Sequence, residues 1–281
     1  MKPLVPLLLT LALVSPPGSA LADSPTSARV LKVCADPNNL PYSNAAGAGF
    51  ENRLAEMIAE SLGAKVEYTW WAQRRGFIRN TLKAGRCDVV MGVPTDYDLA
   101  LTTQPYYRSS YALVYRKNEG YHITSLDDPR LKKLKIGVHL VGEGISPPAK
   151  VLAQHGIVDN VVGYSIFGDY SQPNPPARLV EAVANGDIDV AVAWGPLAGY
   201  FAQLNPRELE VVPLPSSDNA ALPFQFSISM GVRPDDRQLK EKLDTVLAQR
   251  RPQIHALLAQ YGVPVVNAPS TDASAPNVKE R

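Results

Sequence analysis

The chain has 281 residues, with 28 basic side chains against 27 acidic ones and an apolar content of 45%. This balance argues against a nucleic-acid surface, which needs a basic patch to release counterions, and against a polybasic membrane contact. The length allows one or two domains, and the apolar content is enough for ordinary cores.

Lys2, an apolar run from Leu4 to Val14, a break at Ser15-Pro16-Pro17-Gly18 and the small residues of Ala20-Leu21-Ala22 read as a secretory signal peptide over residues 1–22. The apolar run is shorter than the roughly 20 residues a bilayer span needs, so the mature chain is expected to be free of a membrane span and to begin near Asp23. In an oxidising compartment Cys34 and Cys87 favour a disulfide. Closing that loop would contribute about 3–4 kcal/mol. Cys34 sits late in its strand and Cys87 begins another, so pairing needs a bend that brings the two Cβ atoms together.

Val30 to Cys34 predicts a strand, broken by Asp36-Pro37-Asn38-Asn39. Leu54, Met57, Ile58 and Leu62 recur at helical spacing from Phe50 until Gly63. Val66 to Trp70 alternates as a strand, Gly76 to Lys83 predicts a helix, and Asp88 to Val93 reads as a buried strand. The grammar then restarts: strand Lys135–His139, a helix opened by Pro147-Pro148 and running to about His155, strand Asn160–Tyr164, helix Leu179–Ala184 and strand Ile188–Ala193. Gly85-Arg86-Cys87-Asp88-Val89 and Gly186-Asp187-Ile188-Asp189-Val190 read as equivalent elements of two similar α/β lobes. A late strand, Phe226–Val232, precedes helical patterns through Leu247 and from Ile254 to Tyr261, which suggests that the chain returns to the first lobe. The polar tail is expected to be disordered.

Lys32-Val33-Cys34-Ala35-Asp36 with Pro41-Tyr42, Gly49-Phe50-Glu51 opening a helix, Leu82-Lys83-Ala84-Gly85 before Asp88, and Thr103-Gln104-Pro105-Tyr106-Tyr107 together resemble the type II periplasmic solute-binding fold. That resemblance implies an α/β, two-lobed protein with two hinge strands and a central cleft. Residues 29–115 plus 224–265 would form one lobe, 116–223 the other and 266–281 the tail. The hinges would lie near Val114–Arg116 and Leu222–Phe226. The longer phrases Asp36 to Asn44, Gly49 to Arg53, Trp70 to Phe77 and Cys87 to Pro94 resemble the quinoprotein-dehydrogenase-associated (MoxJ/XoxJ, methanol-oxidation J) family. This implies a periplasmic accessory of a PQQ-dependent alcohol dehydrogenase, with that enzyme and its c-type cytochrome as partners.

In amino-acid receptors of this fold, an Arg after the third strand holds the ligand carboxylate. Here Pro94-Thr95-Asp96-Tyr97-Asp98 offers acids instead. A carboxylate commonly follows the second-lobe strand, and here Trp194-Gly195-Pro196 stands in its place. With both charged anchors missing, a buried zwitterion would lack partners. The expected cleft is aromatic and amide-rich: Asn38, Asn39 and Tyr42 lie beyond the first strand, and Trp71 and Trp194 are rings able to stack on a guest. Gln73, Arg74 and Arg75 form a charged rim for an anion or an acidic partner. Tyr106, Tyr107 and Arg108 lie near the hinge, Glu143 sits in a short glycine-flanked loop, and Asp36, Glu51, Pro94 and Thr95 belong to the quoted motifs.

No H-E-x-x-H, G-x-S-x-G or EF-hand pattern occurs, so no catalytic residue, metal or cofactor is expected. The leading expectation is an accessory interaction protein. The alternative is a transport receptor delivering a small neutral or aromatic solute to a permease.

Overall fold

A computed structural model describes residues 29–141, 144–166, 172–205, 207–217 and 219–267. The leader, Glu143 and the tail beyond Asn267 lie outside the described residues. In chain order the elements are β1 (Arg29–Ala35), β2 (Asn38–Asn39), β3 (Ser43–Asn44), α1 (Phe50–Ser61), β4 (Ala64–Trp70), α2 (Phe77–Asn80), β5 (Val89–Pro94), β6 (Leu101–Thr102) and β7 (Tyr107–Arg116). There follow β8 (Ile136–Val141), β9 (Gly144–Ile145), α3 (Pro147–Gln154), β10 (Val161–Ser165), α4 (Arg178–Asn185), β11 (Val190–Trp194) and α5 (Gly195–Leu204). The last are β12 (Leu209–Pro213), β13 (Gln225–Val232), α6 (Arg237–Gln249) and α7 (Arg251–Gln260).

The main sheet runs β10-β8-β11-β7-β13-β5-β1-β4. β4, β1 and β5 are parallel, as are β10, β8 and β11. The long antiparallel strands β7 and β13 join the two triplets. Next to β13, β7 pairs Tyr107 with Ile228 through Ser110 with Gln225. From Tyr111 to Arg116 it pairs with β11 and β12 instead. The exchange of partners falls at Ser110–Ala112. Val114–Arg116, where a hinge was expected, pair with second-lobe strands, and Val114 and Tyr115 lie in second-lobe cores.

The sequence repeat is a repeat of hydrogen bonds. Asp88 Oδ2 accepts from the Lys32 amide at 3.0 Å, and Asp189 Oδ2 accepts from the Lys135 amide at 2.8 Å. Each acid thereby ties its lobe's central strand to the turn before a neighbouring strand. Each also meets an arginine at the end of a connecting strand: Arg233 for Asp88, Arg116 for Asp189. The aspartates are structural.

α1 forms because Leu54, Ala55, Ile58 and Ala59 share one buried face. Asn52 Oδ1 accepts from the amides of Asn44 and Gly49, which fixes the loop entering the helix. α2 is a single turn rather than the helix expected to Lys83. The chain leaves it at Thr81, whose hydroxyl donates to the Phe77 carbonyl, and widens into the turn closed by Arg86 N–H to Thr81 O. That turn supplies the bend the cysteines need: Cys87 precedes the paired register of β5, and Cys34 and Cys87 are disulfide-bonded with their Cα atoms 5.5 Å apart. α5 was not expected from periodicity. It is buried along most of its length, so it has no polar stripe to announce it.

The lobes are also fastened outside the sheet. Leu40, in the loop after β1, is buried in the second lobe's core with Ala177, Leu179 and Val180. Asn38 Nδ2 donates to the Gln172 carbonyl at 2.9 Å, and Asn38 Oδ1 accepts from the Asn174 amide at 3.3 Å. Behind the cleft, α5 meets the end of α7 so closely that a Cβ at Gly199 would lie 1.8 Å from the Gly262 carbonyl oxygen. The Tyr200 and Tyr261 rings stack at 5.7 Å.

Candidate functional site

The carboxyl ends of β1 and β5 face the second lobe across a cavity of about 250 Å³. Asp36, Asn38, Asn39, Tyr42, Glu51, Gln73, Gly92, Val93 and Pro94 line it from the first lobe. Tyr107 and Ile228 come from the connecting strands, and Ile166, Pro175 and Trp194 from the second lobe. Trp194 ends β11 and precedes α5, so the start of that helix aims the indole at the cleft. It packs edge-on against Tyr111 and Phe226, at 5.4 and 5.8 Å. Tyr42 and Trp194 each touch the cores of both lobes.

Asp36 is buried and structural: it accepts from the amides of Asn38 at 2.8 Å and Gln73 at 2.6 Å. Asn39 Nδ2 donates to Gln73 Oε1 at 3.0 Å. The amide-rich wall is therefore a knit layer that shapes the cavity.

Glu51, in the first turn of α1, differs. Part of its surface faces the cavity, yet protein packs densely around it, and desolvation pushes its carboxyl up to about 8. It lies on the surface of β5, where a Cβ at Gly92 would come within 2.3 Å of Glu51 Oε1. Burial likewise raises the hydroxyls of Tyr42, Tyr106 and Tyr107, and the negative charge of Glu51 adds to each.

The remaining predicted residues are dispersed. Arg74 and Arg75 line a neighbouring cavity of about 470 Å³ together with Arg79 and Lys83; it shares the Gln73 and Gly92–Pro94 wall. Trp71 sits outside, under the Arg86 guanidinium at 5.1 Å. Thr95 is held by the Ser227 carbonyl and the Ser229 hydroxyl. Tyr106 is buried beside Pro105 and Asp244, with its hydroxyl unpartnered among the described residues. Arg108 reaches Ser227 and Gln225 at 3.4 Å each. Sequence reasoning missed Ile166, Pro175 and Ile228, whose only signal is apolar character at the end of a strand or turn. Among the described residues no group of three His, Cys, Asp or Glu side chains could hold a metal ion. Nor is any described helix long and apolar enough to cross a membrane.

Two α/β lobes joined by two long strands, with an aromatic-walled cavity at the carboxyl ends of the parallel strands, define a type II periplasmic binding fold. Residues 31–263 match the bacterial extracellular solute-binding proteins, family 3, and the chain belongs to that family. Within it, the chain is 34% identical over 252 residues to the protein MoxJ of Methylorubrum extorquens, covering 85% of this chain and 82% of that one. The crystal structure of the periplasmic binding protein XoxJ from Methylobacterium extorquens AM1 is similar at 37% identity and a TM-score of 0.71, over 85% of this chain and all of that one. MxaJ from Methlophaga aminisulfidivorans MPT is similar at 30% identity and a TM-score of 0.74, over 84% of this chain and all of that one. The protein is a MoxJ/XoxJ-like binding protein.

Proposed function

We propose that this chain is a periplasmic, non-catalytic accessory of a PQQ-dependent alcohol dehydrogenase of methanol oxidation, and that it docks the enzyme, with its c-type cytochrome nearby, at the cleft and its basic rim. The observation that carries this reading is the fastening of the lobes. Leu40 in the second lobe's core and the two Asn38 hydrogen bonds would all have to break for the cleft to open. A transport receptor opens and closes its hinge around its solute, whereas lobes that stay clasped with no solute present would suit a docking platform. The rim adds charge: Arg75, Arg79 and Lys83 are exposed beside one cavity and form no ion pair among the described residues. Such a cluster steers an acidic partner surface. The cleft residues expected from sequence, including Asn38, Asn39, Tyr42, Tyr107 and Trp194, would form the floor of this platform.

The test is surface-immobilised binding of the dehydrogenase isolated from the same periplasm. Wild-type protein should bind, with affinity falling as salt rises. Arg75→Glu combined with Arg79→Glu should weaken binding by about tenfold or more, the effect expected of close charge pairs at an interface. An absence of wild-type binding, or a charge-reversed variant that binds equally well, overturns the proposal. The alternative, a permease-coupled receptor for a small neutral or aromatic solute, predicts thermal stabilisation by such a solute with no enzyme present.

A further inference from the structure

Two carboxylates line the main cavity. Asp36 is occupied by backbone amides. The Glu51 carboxyl has neither a hydrogen bond nor an ion pair among the described residues. The amides at the start of α1 do not serve it, being engaged elsewhere: Phe50 N–H donates to the Pro41 carbonyl, Glu51 N–H to the Tyr42 carbonyl and Gly49 N–H to Asn52. No Lys, Arg or His among the described residues lines the cavity. A desolvated carboxylate without a counter-charge is costly; the hydroxyls of Tyr42 and Tyr107 feel its charge, and their rings line the same cavity as Trp194. Aromatic walls around an acid are the surroundings that suit an organic cation.

We propose that the cavity is a site for a small organic cation, its ammonium group seated against the Glu51 carboxylate among Tyr42, Tyr107 and Trp194. A neutral solute would leave Glu51 unpaired, and an anion would be repelled by both acids. The ammonium arrives either on a free amine or on a lysine or amino terminus of a protein partner; the recognition chemistry is the same. The inference rests on the cleft being the binding site, as proposed above, but needs no dehydrogenase, so the two readings fail separately.

Calorimetric titration of the full chain with choline, and with its uncharged isostere 3,3-dimethylbutan-1-ol, tests the site. Choline should bind at least about tenfold more tightly than the isostere. Glu51→Gln should abolish that preference. Gly92→Ala, whose Cβ would displace the carboxyl, should weaken choline as well. Choline does not titrate, so its affinity reports the acid: it should rise between pH 6 and 8, by no more than about tenfold per unit, and level off above, as Glu51 gives up its proton. The other titratable groups facing Glu51 are Asp36 and the hydroxyls of Tyr42, Tyr68, Tyr106 and Tyr107; the tyrosines all stay neutral over that range. A butylammonium salt against a lysine-containing peptide and its N-acetylated, lysine-free counterpart separates the two sources. Equal binding of choline and its isostere, unchanged choline binding by a folded Glu51→Gln, or no cation binding at millimolar concentration overturns the proposal.

Discussion

Leu40→Ala combined with Asn38→Ala removes the clasp across the cleft mouth. Leu40 is 8% exposed and packs into the second lobe although it belongs to the first. Truncating a leucine so buried costs about 2–3 kcal/mol, the lower part of the usual range, because a loop at the cleft mouth relaxes more readily than a central strand. The two Asn38 hydrogen bonds are worth about 1 kcal/mol each. Together they hold the clasped form by about 4 kcal/mol, so the double variant should shift the open-to-clasped ratio by about a thousandfold. Small-angle scattering reads the change directly. The wild-type radius of gyration should stay constant with and without added solutes, whereas the variant's should be larger. Leu40→Ala alone should lower Tm by about 5–10 °C for a domain of this size. A variant with wild-type scattering and an unchanged Tm would show that the loop does not hold the lobes, and the fixed-platform argument would fall with it.

Reducing Cys34–Cys87, or replacing both with Ala, reopens a loop with a sequence separation of 53 residues. The chain-entropy relation puts the loss at about 4 kcal/mol, measurable as a shift in the urea midpoint. His139 is buried on β8, where neither ring nitrogen has a hydrogen-bond partner among the described residues; desolvation lowers its pKa to about 4, against a smaller opposing effect of the Pro176 backbone. Its folded pKa lies below its unfolded one, so its contribution is intact above about pH 6.5 and is lost as pH falls toward 4, by about 1.4 kcal/mol per unit. His139→Leu should flatten the acid limb of Tm against pH, and a limb that stays as steep would refute the assignment. Glu51 carries the opposite sign. Raised to about 8, it leaves the fold most stable below about pH 4.5 and progressively less so as pH climbs through 8. Glu51→Gln should therefore raise Tm at pH 8 and match wild type at pH 4; equal Tm values at pH 8 would place the carboxyl in water.

Two alternations of strand and helix, and the likeness of Cys87-Asp88-Val89 to Ile188-Asp189-Val190, were legible because buried parallel strands and amphipathic helices write their periods into the chain. The disulfide was also legible, from two cysteines in a chain whose first residues read as an export signal. α5 and β12 were not: α5 is enclosed almost all round, and the short β12 alternates too briefly to stand out. The aromatic and amide residues after β1 were legible as a cleft wall because ligands sit at the carboxyl ends of parallel strands. Their division of labour was not, since Asn38 and Asp36 are consumed in holding the loop.

The sequence by itself determined the class of fold, the two-lobed plan, the resemblance to the J proteins and the absence of the usual charged anchors. These depend on local periodicity and on which residue types follow which strand. Tertiary structure alone decided where the lobes are clasped, which arginines turn away from the cavity, and that Glu51 lies bare against Gly92. Burial and unmet pairing are properties of what surrounds a side chain, and those surroundings come from segments far apart in the chain.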